Sequence, residues 1–170
     1  IIRDTDSFKR NLNLYLLTED INQHLVESNQ IMKRNVKTWI NHYKMINDTV
    51  DILDPKIVNV GINFVAVVDY DQDKFEALNL AITEIENMFA QKLDIGQPIY
   101  LTRIYDVLNN LDEVVDVTNV EIVDRIGSDY SSYTINLTEY ISADGRILYA
   151  PEDTVYELKF PSIDIKGTIK

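Results

Sequence analysis

An α+β fold is predicted for this 170-residue chain from three observations in its sequence. One long run, residues 57–68, alternates apolar with polar or small side chains, as a strand with one buried face does. Two stretches repeat their apolar residues at helical spacing, and short β-like pieces follow residue 123. We expect a small mixed sheet covered by amphipathic helices in residues 1–123. Residues 124–170 are expected to form a β-hairpin-rich extension, as a second domain or as part of the first.

The first strand and the first helix are predicted before residue 47. In the segment NLNLYLL, residues 11–17, the leucines alternate and indicate a strand. Ser28 is a suitable N-cap for a helix that runs to about Ile46. The apolar stripe of this helix comprises Met32, Val36, Trp39, Tyr43 and Ile46. We expect this stripe to be buried, which would leave Lys33, Lys37 and Lys44 near water.

The clearest strand is predicted at residues 57–68. Its apolar side is formed by Val58, Val60, Ile62, Phe64, Ala66 and Val68. Asn59, Gly61 and Asn63 lie on the other side, so we expect one sheet face to be covered by helices and the other to be more open. A glycine inside a strand indicates a bulge or the close approach of another backbone, and this is expected at Gly61.

A second helix is predicted after the turn at residues 69–73. Asp73 and Glu76 have the spacing of a capping box at its start. Its narrow apolar stripe comprises Phe75, Leu78, Ile82, Ile85 and Phe89. We expect this helix to end near Gln91 or Lys92.

The stretch IGQPIYLTRIYDVLNNLDEVVDV, residues 95–117, predicts a connector, a short helix and the start of a strand. Thr102 is the expected cap of the helix, whose buried face comprises Leu101, Ile104, Tyr105, Leu108 and Leu111. The following strand is expected at residues 114–122. Further β pieces are predicted at 133–137, 146–150 and 154–160, separated by turn residues such as Asp144-Gly145.

The composition excludes some chemistry and argues against two kinds of partner. With no cysteine, the chain has neither disulfides nor thiolate-bound metal. A formal net charge of −12 repels nucleic-acid phosphates. The longest apolar run is far shorter than the ~20 residues of a membrane span. We therefore expect no nucleic-acid partner and no membrane partner. Because the chain opens IIRDTD without Met, we expect it to be a fragment of a longer protein.

Motifs that would carry a reaction are weak in this sequence. Asp69, Asp71 and Asp73 imitate the first ligands of a calcium loop, but the sixth and twelfth positions are Lys74 and Leu80, so we expect a turn and a helix cap. His24 and His42 lack zinc-ligand spacing. Neighbouring carboxylates such as Asp112, Glu113 and Asp116 are expected in any acidic chain. We predict no catalytic residues, no cofactor and no metal.

Tyrosine is the more informative residue type, with ten in the chain. Several fall in the predicted extension, and tyrosine is enriched at protein interfaces because a large apolar ring carries a polar tip. The candidate interface residues are Tyr133, Tyr140, Tyr149, Tyr156 and Phe160. An equally weighted alternative is that these tyrosines cover the sheet of a small module. On the first alternative we expect a homodimer.

The order of these elements resembles the C-terminal part of the baseplate J-like family, and in particular the baseplate wedge proteins of contractile-tailed phages. The resemblance covers residues 11–122. Its main segments are IVNVGINFVAVV, DQDKFEALNLAITEIENMF and IGQPIYLTRIYDVLNNLDEVVDV, preceded by NLNLYLL and NVKTWINHYKMINDTVDI. It implies a virion structural protein of the tail baseplate, assembled in the host cytoplasm. Such a protein contacts its ring neighbours and other wedge proteins and has no catalytic residues. A related bacterial contractile device is an alternative source.

Two other functions stay open from the residues alone. A ligand-sensing regulatory domain of ferredoxin-like build would show an apolar pocket at a subunit interface. An enzyme with an acidic site would need convergent carboxylates in a pocket, beside Asp69, Asp71, Asp73, Asp112 or Asp116.

Overall fold

The computed structural model describes residues 2–3, 10–45 and 48–170. The chain forms two compact units, Ile1–Ile57 and Val58–Lys170, and each combines strands with helices. The predicted α+β class is therefore confirmed. The boundary between the units differs from the predicted division after residue 123, because strands from the C-terminal region pair with the sheet of the second unit.

The first unit is built around a short three-stranded sheet. Its elements are β1 (Ile2–Arg3), β2 (Arg10–Tyr15), β3 (Thr18–Glu19), β4 (Leu25–Val26), α1 (Gln30–Asn41) and β5 (Asp48–Leu53). β2 lies in the middle, antiparallel to β1 and parallel to β5. Parallel neighbours need a crossover connection, and this connection contains α1. β3 and β4 form a separate antiparallel pair.

The predicted strand at residues 11–17 is confirmed as β2, but the helix that follows is shorter than predicted. Asn29 is its N-cap, because the Asn29 side chain accepts a hydrogen bond from the Ile31 N–H. Ser28 is buried one residue earlier, and its hydroxyl donates to the Leu16 carbonyl at 3.0 Å. The helix ends at Asn41, and Ile46 lies outside the described residues.

The second unit has a four-stranded sheet covered by helices. Its elements are β6 (Lys56–Val68), which begins at the junction of the units, α2 (Lys74–Met88), β7 (Ile99–Tyr100), α3 (Leu101–Asn109), β8 (Val114–Asp124), α4 (Leu137–Tyr140), β9 (Ile147–Leu148), β10 (Thr154–Glu157), α5 (Pro161–Asp164) and β11 (Ile165–Ile169). β6 is the central strand: it pairs with β8 antiparallel, with β11 parallel and with β10. β7 and β9 form a small antiparallel pair.

β6 confirms the predicted long strand and its two different faces. The side chains from Val58 to Val68 predicted to face the core are all buried, and all of them except Val68 belong to one apolar cluster with residues of α2 and α3. On the opposite face, Asn63 is half-buried and pairs with Glu121 and Lys166, which are both exposed. One face of this sheet is therefore the core. The other face is more open at Asn63, as predicted, but Asn59 and Gly61 on the same face are buried, so this prediction holds only in part.

α2 begins as predicted but buries a different stripe. The Asp73 carboxylate accepts a hydrogen bond from the Phe75 N–H at 2.8 Å, which confirms the cap. Phe75 itself is exposed, whereas the fully buried residues are Ala77, Ala81 and Ile85. These small alanines suit close packing of the helix on the sheet, where a Cβ at Gly167 would overlap Leu78. The helix ends at Met88, three or four residues earlier than predicted.

α3 lies as predicted, with Leu101, Ile104 and Leu108 buried. The predicted cap is wrong, because Thr102 is inside the helix and Tyr100 precedes its first residue. The N–H of Leu101 instead donates to the Arg146 carbonyl at 2.9 Å. A residue distant in the chain therefore supplies the acceptor that a side-chain cap would otherwise provide.

The C-terminal region confirms two of its three predicted β pieces. β9 lies in 146–150 and β10 in 154–160, whereas 133–137 has no strand and leads into α4. β10 and β11 pair with β6 instead of forming hairpins with each other. β6 is 13 residues long and offers hydrogen-bonding groups along both edges, which hairpin signals in the sequence do not reveal.

Candidate functional site

Helix α1 meets its sheet partly through a basic residue, Lys33, which was predicted near water; Lys37 and Lys44 are exposed as predicted. Lys33 forms an ion pair with Asp54, and both side chains are largely buried. Lys37 lies 3.4 Å from Asp51. Asp51 belongs to β5 and Asp54 directly follows it. This strand therefore presents acidic groups to the helix. These pairs hold the basic side of α1 toward β5. Of the predicted apolar stripe, Met32, Trp39 and Tyr43 are exposed and Val36 is half-buried.

The apolar side of α1 is therefore an exposed surface. Trp39 and Tyr43 are 64% and 73% exposed, and their ring centroids lie 4.9 Å apart at an interplanar angle of 47°. Met45 is exposed beside them. Aromatic rings that pack on each other while facing water are preorganised for contact with a partner, and Trp and Tyr are enriched among residues that dominate binding energy.

A groove of about 530 Å³ adjoins this aromatic pair in the first unit. We name the surface the apolar α1 face, and its main residues are Leu12, Leu14, Val36, Trp39, Ile40 and Tyr43. Lys44 and Asp48 are the charged residues that line the same groove. Its volume lies within the range of natural binding pockets, about 300–1,000 Å³. The groove is therefore large enough to accept an aromatic side chain.

A second groove of about 950 Å³ also adjoins α1, with both polar and apolar residues in its lining. Its lining includes the basic residues Lys33, Arg34 and Lys37. Asn13 and Asp51 belong to the same lining. The helix thus has an apolar groove and a basic groove, and both are formed within the first unit.

The tyrosines predicted as an interface occupy different environments. Tyr133 and Tyr149 are exposed, Tyr140 is half-buried against the core, and Tyr156 is only 1% exposed. The Tyr156 hydroxyl donates to the Tyr149 carbonyl at 2.7 Å, and burial raises the pKa of Tyr156. Tyr156 is thus a core residue of the second unit and is not available to a partner.

Phe160 is half-buried, and its ring packs edge-on against Tyr130, with centroids 5.6 Å apart at 74°. It belongs to a polar network around Asp164, which is completely buried. Tyr130 donates to Asp164 Oδ1 at 2.7 Å, the Phe160 N–H donates to Oδ2 at 2.9 Å, and Arg125 Nε lies 3.2 Å from Oδ1. Burial, reinforced by the hydrogen bond and charge of Asp164, raises the pKa of Tyr130 to about 12.

Gly61 explains how Arg125 reaches this network. A Cβ at residue 61 would lie 2.8 Å from the Arg125 Cζ atom, so only glycine leaves room for the guanidinium. The close approach predicted at Gly61 is real, but the approaching group is a side chain and not a backbone. The register shifts of β6 and β8 lie elsewhere, between Val65 and Ala66 and between Val67 and Val68.

A second buried network joins β6 to β10. Asn59 donates to Glu157 Oε2 at 2.8 Å, and Lys92 Nζ lies 3.6 Å from Glu157 Oε1. Asn59 Oδ1 accepts from the Ser131 N–H at 2.6 Å. This second network fixes the C-terminal region to the central strand, whereas the Asp164 network joins α5 to Arg125 and Tyr130. Neither network was predicted from the sequence. Asn59 and Gly61, a polar and a small residue inside an otherwise apolar strand, could have indicated them.

Three of the acidic residues singled out by sequence accept hydrogen bonds from nearby backbone N–H groups. Asp73 caps α2, and Asp69 accepts from the Tyr70 N–H at 2.7 Å. Asp116 accepts from the Val117 N–H at 2.9 Å. A cavity of about 480 Å³ beside α3 is lined by a different pair, Asp106 and Asp144. Neither this cavity nor the two beside α1 is lined by Asp69, Asp71, Asp73, Asp112 or Asp116.

The histidines occupy separate elements of the first unit. His24 lies between β3 and β4, and His42 is the C-cap of α1. Within residues 2–3, 10–45 and 48–170, no group of three or more His, Asp or Glu side chains is placed to hold a metal ion. In the same ranges, no helix is both long and apolar enough to cross a membrane.

No family model matches the chain, and a comparison with curated proteins finds no match either. The fold and surfaces define the class: a two-unit α+β protein with an exposed apolar and aromatic face on one helix.

Proposed function

We propose that this chain is a structural protein that joins subunits of an assembly, and that the assembly is the baseplate of a contractile phage tail. The observation that carries the proposal is the apolar α1 face. A paired Trp39 and Tyr43, exposed beside an apolar groove, form a surface whose burial by a partner would be favourable.

The order of elements supports the same proposal. The chain contains β2, α1, β6, α2, α3 and β8 in the order on which the resemblance to baseplate wedge proteins rests, with β3, β4, β5 and β7 as additional strands between them. On this proposal the partners are ring neighbours, including a second copy in a homodimer, and other wedge proteins. Assembly would take place in the host cytoplasm, and no catalytic residue, cofactor, nucleic acid or membrane is required.

The buried networks support a mechanical role. Glu157 ties β10 to β6 through its hydrogen bond with Asn59, and Asp164 ties α5 to Tyr130 and Arg125 inside the second unit. A buried polar network that is hydrogen-bonded rigidifies its surroundings. A rigid unit keeps its surfaces in fixed relation, which is what a subunit of a ring must do.

The test is the location of the protein in particles. Contractile tails purified from producing cells should contain the chain in fixed ratio to other baseplate proteins by mass spectrometry. Antibody labelling should place it at the distal end of the tail. Recovery of the chain only in the particle-free fraction would contradict the proposal.

A matched pair of variants sharpens this test. Trp39→Ser removes the largest exposed side chain of the apolar α1 face and should reduce incorporation into tails. Ile126→Ser changes an equally exposed apolar residue of the second unit and should not. Equal incorporation of both variants would show that the apolar α1 face does not mediate assembly.

A second candidate function is small-molecule sensing, and the apolar groove of about 530 Å³ is the observation that favours it. A thermal-shift screen with apolar and aromatic compounds distinguishes the two functions. A compound that raises Tm in the native chain but not in Trp39→Ser would favour sensing. A screen without such a compound favours assembly.

A further inference from the structure

The charge of α1 restricts what can cover its apolar face. Residues 30–45 carry four Lys or Arg and no Asp or Glu. Lys33 and Lys37 are paired with carboxylates of their own unit. Arg34 and Lys44 are exposed, and Lys44 Nζ donates to the backbone carbonyl of Asp48 at 2.9 Å, which leaves its positive charge without a carboxylate at that bond. Two α1 faces placed against each other would bring like charges together, which costs free energy. The occupant must therefore combine an apolar or aromatic side chain with carboxylates.

A second copy of the chain provides such a surface in its second unit. Residues 1–57 contain eight Lys or Arg and eight Asp or Glu, so they are formally neutral. Residues 58–170 contain eight Lys or Arg and twenty Asp or Glu, so they carry the whole net charge of −12. A basic helix in one unit and an acidic surface in the other unit are complementary between copies.

One turn of the second unit has both required properties. Residues 69–76, DYDQDKFE, connect β6 to α2, and all eight are exposed. Tyr70 is 97% exposed and Phe75 is 77% exposed. The same turn contains three Asp and one Glu against one Lys. We name residues 69–76 the acidic aromatic tip.

We propose that the acidic aromatic tip of one copy docks on the apolar α1 face of a second copy. Tyr70 enters the groove beside Trp39, and Asp71 lies opposite Lys44. The inference deepens the structural function proposed above and rests on it. A contact between two different surfaces is heterologous, so repetition closes a ring or extends a filament.

Sedimentation velocity on the purified full chain tests the proposal. We expect concentration-dependent self-association that weakens with added salt, because screening reduces the attraction between exposed charges. Tyr70→Ser and Trp39→Ser should each lower the association constant at least about tenfold, as loss of a central aromatic contact does. Both side chains are largely exposed, so urea unfolding should show unchanged stability in the variants.

Tyr149→Ser is the matched control, since Tyr149 is an exposed tyrosine outside the tip. It should self-associate like the native chain. If Tyr149→Ser dissociates the protein and Tyr70→Ser does not, the contact lies in the C-terminal tyrosines and the proposal is overturned. A native chain that is monomeric at millimolar concentration also overturns it.

Mixing the two variants distinguishes a head-to-tail contact from a symmetric one. Trp39→Ser keeps an intact tip, and Tyr70→Ser keeps an intact α1 face. Each should be monomeric alone, whereas the mixture should form a heterodimer through one productive contact and grow no further. A mixture that remains monomeric, or a Tyr70→Ser variant that dimerises alone, overturns the proposal.

A charge exchange tests the pairing of Asp71 with Lys44. Lys44→Glu and Asp71→Lys should each weaken association, and the double variant should recover at least part of it. Absence of recovery counts against this orientation. Self-association is measured on the purified chain and incorporation is measured in tail particles, so the inference and the proposed function can fail separately.

Discussion

Asn59 and Glu157 lie 98 residues apart in the chain, and the Asn59 amide donates to the Glu157 carboxylate at 2.8 Å in the interior of the second unit. Asn59 is 1% exposed and Glu157 is 3% exposed. A carboxylate taken out of water needs donors or a cation, and here Asn59 and Lys92 supply them. This bond connects the first residues of the central strand to β10.

Replacing Asn59 by Ala should therefore be strongly destabilising. The change removes the donor to Glu157 and the acceptor of the Ser131 N–H, and it leaves buried polar groups without their partner. We expect a loss of about 3 kcal/mol in the free energy of unfolding, measured by urea denaturation. Asn119→Ala, at an exposed position of β8, should change stability by less than about 0.5 kcal/mol. Equal effects of the two variants would contradict the role assigned to Asn59.

Tyr130 should stabilise the fold through its hydrogen bond to Asp164. Tyr130→Phe keeps the ring that packs on Phe160 but loses the hydroxyl donor, and hydrogen bonds to charged groups contribute about 2 kcal/mol. Tyr133→Phe is the control, because Tyr133 is exposed. The measurement is the urea midpoint of each variant, and a Tyr130→Phe midpoint equal to that of Tyr133→Phe would disprove the contribution.

The raised pKa of Tyr130 also predicts a pH dependence. The unfolded chain releases this proton near pH 10.0, whereas the folded chain keeps it until about pH 12. The contribution is fully present below pH 10 and is lost as the pH rises through this window. Between pH 10 and 12 the stability of Tyr130→Phe should therefore fall less steeply than that of the native protein. Parallel stability curves would show that Tyr130 titrates normally in the folded state.

Gly61→Ala should disturb the Arg125–Asp164 pair without touching either residue. The new Cβ overlaps the guanidinium, so Arg125 must move from a largely buried position. We expect a loss of about 2 kcal/mol, in the range of overpacked cores. In Gly127→Ala the added Cβ would meet Tyr130 Cδ2 at an ordinary 3.4 Å, so this variant serves as control. A Gly61→Ala protein as stable as the control would mean that Arg125 has room to move.

Trp39 should report the exposed state of the apolar α1 face. It is the single tryptophan of the chain, so the indole fluorescence comes from this residue alone. In dilute native protein, iodide should quench this emission almost as efficiently as in the urea-unfolded chain. Emission that is protected from iodide at low concentration would show that the stripe is buried, as the sequence pattern first predicts.

The second unit was the more predictable part of the chain. The alternation in residues 57–68 is long enough to identify both the strand and its buried face. The cap at Asp73 was predictable because capping is a local interaction between a side chain and a nearby N–H. Thr102 failed as a cap because the competing acceptor, the Arg146 carbonyl, comes from a distant turn.

The stripe of α1 shows the limit of periodicity. Spacing identifies which residues share a helix face, and Met32, Trp39 and Tyr43 do share a side of this helix. It does not identify which face meets the sheet. That choice depends on what the sheet presents, and Asp51 and Asp54 present charge to Lys37 and Lys33.

By itself the sequence determined the α+β class, the positions of β2, β6, β8 and the three longer helices, and the residues of the core strand, because these depend on local periodicity and capping; β5 and β11 were not predicted. Tertiary structure alone decided that β10 and β11 join β6, that Glu157 and Asp164 find partners, and that the aromatic side of α1 faces solvent. These features depend on groups far apart in the chain, whose meeting no local pattern encodes.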